Sequence, residues 1–96
     1  MKIAIVGATG EVGRMMISCL EELNLKLELL DLYASARSQG SMLYYLDQPI
    51  EVQELTEQSM LKRYDYVFFS AGAGVARTYA PIAADVSELV IDNSSG

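Results

Sequence analysis

Apolar residues follow two rhythms along this chain. Short unbroken runs alternate with stretches in which apolar positions recur every three or four residues. Ile3-Ala4-Ile5-Val6 is the first run. It lacks polar alternation, so a strand over Lys2 to Val6 should be covered on both faces, as strands of parallel sheets are. From Glu11 to about Leu23 the spacing becomes helical. Val12, Met16, Cys19, Leu20 and Leu23 fall on one face, with Arg14, Ser18, Glu21 and Glu22 elsewhere. Asn24 suits a left-handed C-cap.

The second strand lies within Lys26 to Ala34. A polar loop of small residues follows, Ser35 to Ser41. Two short strands are expected next, about Met42 to Leu46 and Ile50 to Leu55, turned by Asp47-Gln48-Pro49. Thr56 with Ser59 opens a short helical piece reaching about Tyr64, with Met60 and Leu61 inward. Val67-Phe68-Phe69 reads as a buried strand ending in a second small-residue turn, Ser70-Ala71-Gly72-Ala73-Gly74. A helix from about Val75 to Val86 carries Pro81. Proline inside a helix costs ~3 kcal/mol, so that helix either starts near Ala80 or kinks there. Leu89 to Asp92 is the last strand. The order β-α-β-(β-β)-α-β-α-β predicts a Rossmann-like, doubly wound parallel sheet in three α/β/α layers. At 96 residues its second half is expected to be incomplete.

Composition narrows this. With 51% hydrophobic residues the chain can build one core. Its net charge is −6, and the basic residues Lys2, Arg14, Lys26, Arg37, Lys62, Arg63 and Arg77 are scattered, which leaves no basic stripe for nucleic acid. No apolar run reaches membrane-spanning length and no signal peptide is evident, so a cytoplasmic location is expected. A single cysteine, Cys19, cannot form an internal disulfide. The absence of histidine argues against a metal site and against histidine acid–base catalysis within these residues.

The chemistry centres on Gly7-Ala8-Thr9-Gly10-Glu11-Val12-Gly13, between the first strand and the first helix. A glycine-rich turn in that setting cradles a dinucleotide pyrophosphate. Gly7 would make the tight turn, Gly10 would let the backbone approach phosphate, and Gly13 would let the helix pack on the strand. The N–H groups of Thr9, Gly10, Glu11 and Val12 are those expected to face phosphate. Arg37, flanked by Ser35 and Ser38, follows the second strand, where an arginine accommodates the 2′-phosphate of NADP. Asp31 lies too early to be a strand-end acid for the ribose of NAD. Ser70-Ala71-Gly72 should border the same crevice, and Asn93, Ser94 and Ser95, after Asp92, could reach nicotinamide or substrate. Cys19, Met15, Met16, Tyr44 and Tyr45 read as packing. Tyr79 lies near the ligand edge, but Ala83 four residues later excludes a Tyr-x-x-x-Lys pair there.

Four stretches together resemble the amino-terminal part of aspartate-semialdehyde dehydrogenases: Val6 to Gly13; Tyr33 to Gly40; Val67 to Gly72 with Tyr79-Ala80-Pro81; and Val90 to Ser95. The related acetylglutamyl-phosphate reductases fit the second and third stretches less well. The resemblance implies NADPH-dependent reduction of an aspartyl phosphate to the semialdehyde, a step of amino-acid biosynthesis. It implies that Thr9 to Val12 hold the pyrophosphate, that Arg37 and Ser38 hold the 2′-phosphate, and that Ser70 to Gly72 flank the cofactor. Ala73-Gly74 stand where many members carry serine, and Gly96 stands where the family continues with Ala-Phe-Arg. The family's catalytic cysteine and histidine lie further on, so residues 1–96 are expected to be an NADP-binding domain fragment, inactive alone. Small-molecule substrate and a homo-oligomeric assembly would belong to the complete enzyme. Another NADP-dependent reductase of atypical short-chain type, or a nucleotide-sensing module without catalysis, stays open as an alternative.

Overall fold

The computed structural model describes residues 1–70 and 73–92. Five parallel strands form the central sheet: β1 (Lys2–Val6), β2 (Leu29–Ala34), β5 (Gln53–Glu54), β6 (Tyr66–Phe69) and β7 (Leu89–Asp92). They lie in the order β5-β2-β1-β6-β7. Numbered among themselves, that is 3-2-1-4-5, the first five places of the dinucleotide-binding order. An antiparallel hairpin, β3 (Met42–Tyr45) with β4 (Gln48–Glu51), stands apart from the sheet. Among the described residues, three α-helices flank the sheet: α1 (Glu11–Glu22), α2 (Glu57–Met60) and α3 (Ala73–Val86).

Alternation along β1 shows why its sequence lacks polar positions. Ile3 and Ile5 enter a core with Ile17 and Leu20 of α1 and Tyr45 of the hairpin. Ala4 and Val6 enter a second core with Met60, Phe69, Ala76 and Ala83, under α2 and α3. Both sheet faces are therefore covered, and the three-layer architecture expected from the pattern is present.

The buried face of α1 is not the one its hydrophobicity suggests. Gly13, Ile17 and Leu20 are buried, while Val12, Cys19 and Leu23 face solvent. Gly13 decides this rotation. A Cβ built on it would lie 2.2 Å from the Gly7 carbonyl oxygen and 2.7 Å from the Ala8 Cα, so only glycine can occupy the crossing. Positions four and seven residues later then follow onto the same face. Met15 and Tyr44 are likewise exposed rather than packed, whereas Tyr45 is buried and Met16 packs against the core. Asn24, at φ 53°, takes the left-handed conformation its position suggests.

The hairpin turns two residues earlier than Asp47-Gln48-Pro49 implies. Leu46 and Asp47, at φ 48° and 67°, form the turn, and Gln48 and Pro49 already belong to β4. Positive φ at both central residues matches the twist of a two-residue hairpin. The expected strand Ile50 to Leu55 is two strands instead. At Val52, fully buried, the chain leaves the hairpin, and Gln53–Glu54 joins the main sheet beside β2. The helical piece after Thr56 is one turn, not two. Thr56 and Ser59 form a reciprocal capping box, and Met60 is buried, but Leu61 is exposed, since neighbouring helical positions point about 100° apart. Helix α3 begins at Ala73 and runs through Pro81, so it does not start near Ala80. Arg77, whose carbonyl the proline cannot serve, is exposed to water as Pro81 is.

Candidate functional site

The chain order places β1 between β2 and β6, so the connections after β1 and β6 leave the sheet on opposite sides. A crevice opens at the carboxyl ends of strands at such a switch point. Here it is a cavity of about 450 Å³ lined by residues from four strand ends and α3. Val6, Gly7, Thr9 and Gly10 come from the end of β1; Ala34, Ser35 and Ala36 from the end of β2. Glu54 and Leu55 come from β5, Ser70 from β6, and Val75 and Tyr79 from α3.

Backbone hydrogen bonds hold the glycine turn from both sides. Gly7, at φ 87°, is in the left-handed region that favours glycine. The N–H groups of Gly7 and Ala8 both donate to the Tyr33 carbonyl, at 2.8 and 3.1 Å. From the other flank the Ser70 hydroxyl donates to the Val6 and Gly7 carbonyls, at 2.9 and 3.3 Å, and its N–H donates to Val6 at 2.9 Å. The Gly10 N–H donates to the Gly7 carbonyl at 3.1 Å, so this amide serves the turn itself and is not turned to a phosphate. The first backbone bond of α1 is Arg14 N–H to the Gly10 carbonyl, at 3.0 Å. Helix geometry therefore leaves the N–H groups of Glu11, Val12 and Gly13 without intrahelical acceptors, at the positive end of the helix dipole.

The loop after β2 closes onto this turn. Ala36–Ser38 form one turn of 3-10 helix, and the Thr9 hydroxyl donates to the Ser38 hydroxyl at 3.3 Å. Arg37 lies beside that contact. Its guanidinium is exposed and has no hydrogen-bond or ion-pair partner among the described residues. Ser35 and Ala36 line the cavity; Arg37 and Ser38 complete the same turn but are not among the lining residues. Gly13 does not reach the cavity, because it is sealed beneath Gly7. Glu11 and Val12 are exposed at the helix start. Ala71, Gly72, Asn93, Ser94 and Ser95 lie outside the described residues. Cys19, exposed on α1, is not part of the cavity wall.

The donors present fit a dinucleotide. A glycine turn faces a cavity of this size, helix-start amides without intrahelical acceptors stand beside it, and the exposed Arg37 guanidinium on the adjacent loop has no partner among the described residues.

Two features escape the sequence reading. Glu54 and Leu55 join the cavity because the end of the expected strand Ile50 to Leu55 splits off at Val52 and pairs with β2, a change of sheet that periodicity does not reveal. The second is a buried polar cluster behind β2. Asp31, 7% exposed, accepts from the Tyr64 hydroxyl at 2.5 Å, and the Tyr64 and Tyr33 hydroxyls lie 2.6 Å apart. Gln53 Nε2 donates to Asp31 at 3.4 Å, and Lys62 Nζ approaches it at 3.8 Å. Burial pushes the Tyr64 hydroxyl far above the usual phenol range, and its bonds to Asp31 and Tyr33 push further. Burial also raises Tyr33, with its bond to Tyr64 opposing the rise. Its main-chain carbonyl anchors the glycine turn, so this cluster and the turn share one residue.

With the geometry in place, comparison with known proteins decides the family. A family model described as the semialdehyde dehydrogenase NAD-binding domain matches residues 2–96. The chain belongs to that family. Among relatives in the curated proteins, the aspartate-semialdehyde dehydrogenase of Aquifex aeolicus is 44% identical over 94 residues, which is 98% of this chain and 28% of that protein. The Bacillus subtilis aspartate-semialdehyde dehydrogenase is 38% identical over 95 residues, 99% of this chain and 27% of that protein. Among solved structures, aspartate semialdehyde dehydrogenase II from Vibrio cholerae, complexed with ASA, superposes with a TM-score of 0.87 at 37% identity. It covers 98% of this chain and 30% of that one. A ketopantoate reductase from Staphylococcus aureus, at 17% identity and a TM-score of 0.60, shares the fold alone. The chain thus spans about 28% of the length of its curated relatives. The matched domain is one described as NAD-binding, and no helix among the described residues is long and apolar enough to cross a membrane.

Proposed function

We propose that residues 1–96 are the NADP(H)-binding domain of an aspartate-semialdehyde dehydrogenase. In that role the chain positions NADPH for reduction of an aspartyl phosphate to the semialdehyde. The nicotinamide supplies the hydride; the residues of this chain bind and orient. The unpaired N–H groups at the start of α1 receive the pyrophosphate. Thr9 and Ser38, already bonded to each other, fix the ribose loop against the turn. Ser70 keeps the turn's carbonyls engaged and away from the phosphates.

Arg37 carries the preference for NADP over NAD. Its guanidinium has no partner among the described residues, and it stands beside Ser35 and Ser38 on the loop that closes onto the glycine turn. A carboxylate to take a ribose 2′-hydroxyl is missing from the end of β2, where Ala34 is followed by Ser35; Asp31 is buried mid-strand and engaged by Tyr64. Titration of the protein and Arg37→Ala with NADPH and NADH checks this. The substitution should weaken NADPH by roughly 10- to 100-fold, the worth of a charge-assisted bond, and leave NADH within about twofold. Equal losses for both would refute it.

The bond-making residues are inferred to lie outside these 96. The chain has no histidine, and Cys19 lies on the outer face of α1. Residues 1–96 alone should therefore bind cofactor without turning over aspartate semialdehyde in the presence of NADP and phosphate. Turnover by these residues would overturn that assignment. A small-molecule substrate, a homo-oligomeric assembly and a cytoplasmic location belong to the same proposal for the complete enzyme.

A further inference from the structure

One wall of the cavity has no part in holding pyrophosphate or ribose phosphate: Glu54 and Leu55, at the end of β5. Short as it is, β5 is firmly placed. Tyr33 pairs with Gln53 and Ala34 with Glu54, and the Leu55 N–H donates to the Ala34 carbonyl at 2.9 Å. Glu54 is thereby locked in register with the last residue of β2. On its other side the Ser59 hydroxyl donates to the Glu54 carbonyl at 3.5 Å, tying the strand end to α2.

The strand order turns the cavity edge into a ruler. Neighbouring strands lie about 4.8 Å apart. The glycine turn stands at β1, the Ser35 loop one spacing away at β2, and Glu54 two spacings away at β5, roughly 10 Å from the turn. A nucleotide with its pyrophosphate at α1 and its ribose at β2 lays its base at β5. The half-buried Leu55 offers the base an apolar surface there, and Tyr79 faces the same cavity from α3. The Glu54 carboxylate has no side-chain partner among the described residues. An ionised carboxylate only accepts hydrogen bonds. It suits neither phosphate nor a carbonyl oxygen, but it suits an exocyclic amine. Adenine presents an amino group at its 6-position, whereas hypoxanthine and guanine present an oxygen.

We propose that Glu54 reads the base: its carboxylate accepts a hydrogen bond from the 6-amino group of adenine and makes the site select adenine dinucleotides. This rests on the reading of the cavity as an NADP(H) site. The role is one of specificity, separate from the choice between NADP and NAD made at Arg37.

The test is calorimetric titration of the protein, Glu54→Gln and Glu54→Ala with NADPH and with its deaminated analogue, in which hypoxanthine replaces adenine. The wild-type protein should bind NADPH about tenfold more tightly than the analogue, a discount on a fully buried charged bond because Glu54 is exposed at the rim. Glu54→Gln, whose amide can both donate and accept, should bring that ratio to about one. Glu54→Ala should weaken NADPH and leave the analogue unchanged or tighter. Melting curves of both variants should match the wild type, as the side chain is exposed. Equal binding of the two dinucleotides by the wild-type protein would overturn the proposal. So would equal weakening of both by the Glu54 variants, which is the signature of a ribose contact. Failure of the wild-type protein to bind NADPH at all would instead remove the cofactor reading on which this rests.

Discussion

A methyl group at Gly13 would sit 2.2 Å from the Gly7 carbonyl oxygen, whereas one at Gly10 would meet only that same atom, at 3.4 Å. Two glycines of one motif therefore have different work. Gly13 lets the helix cross the strand, and Gly10 keeps the cavity wall bare. Gly13→Ala should cost at least about 3 kcal/mol in urea unfolding, because backbone rather than a flexible side chain must move. Gly10→Ala should change unfolding by under about 1 kcal/mol and weaken NADPH binding instead. The opposite pattern would mean that the two roles are exchanged. The glycine spacing was legible as a dinucleotide turn, but which glycine packs and which faces ligand was not. That division depends on where the helix crosses, a tertiary fact. The pairing of Asp31 with Tyr64 was equally hidden, since the two lie 33 residues apart. That Arg37 and Ser38 lie on the loop after β2 was easier to see, because that placement follows from the end of one strand.

At the scale of elements, α1 shows how a close crossing overrides hydrophobic pattern. Periodicity set Val12, Cys19 and Leu23 inward; the Gly13 crossing turns Ile17 and Leu20 inward and those three outward. Cys19 should therefore react with a thiol-specific reagent in the folded protein at a rate close to that in denaturant, and protection by several orders of magnitude would contradict the observed rotation. Ile17→Ala should cost about 2–4 kcal/mol, while Leu23→Lys should be nearly neutral, as read from urea midpoints. The strands β1, β2, β6 and β7 were legible because each is predominantly apolar, Asp31 in β2 and Asp92 at the end of β7 aside. β5 was legible only in part: the strand expected over Ile50 to Leu55 covers Gln53 and Glu54, but the break at Val52 and the pairing with Tyr33 and Ala34 do not show in the pattern. The chain's change of sheet at Val52 is set by that pairing too.

At the scale of the whole molecule, the polar cluster behind β2 links stability to alkaline pH. Tyr64 and Tyr33 have folded-state pKa values above their unfolded value of about 10, chiefly through burial, and Tyr45 is raised by burial and by nearby Glu21. A raised pKa means that the native state keeps a proton which the unfolded state releases. Their contribution is thus complete below pH ~10 and is lost as pH rises above it, most steeply for Tyr64, where the slope approaches about 1.4 kcal/mol per pH unit well above pH 10. Tyr64→Phe should make the fall between pH 10 and 11 shallower by about 1 kcal/mol, in urea melts at each pH. An unchanged slope would show that Tyr64 ionises freely in the native protein.

The strand order, the glycine turn and the closure of Ser38 onto Thr9 all support the proposal that the carboxyl edge at β1 and β2 holds a dinucleotide. Amide chemical-shift mapping during NADP titration tests it most directly. Saturable shifts should concentrate at Gly7–Gly13, Ser35–Ser38, Glu54, Leu55 and Ser70, with little change across the β3–β4 hairpin. Shifts centred on the hairpin and the outer face of α1, or none at saturating cofactor, would contradict it.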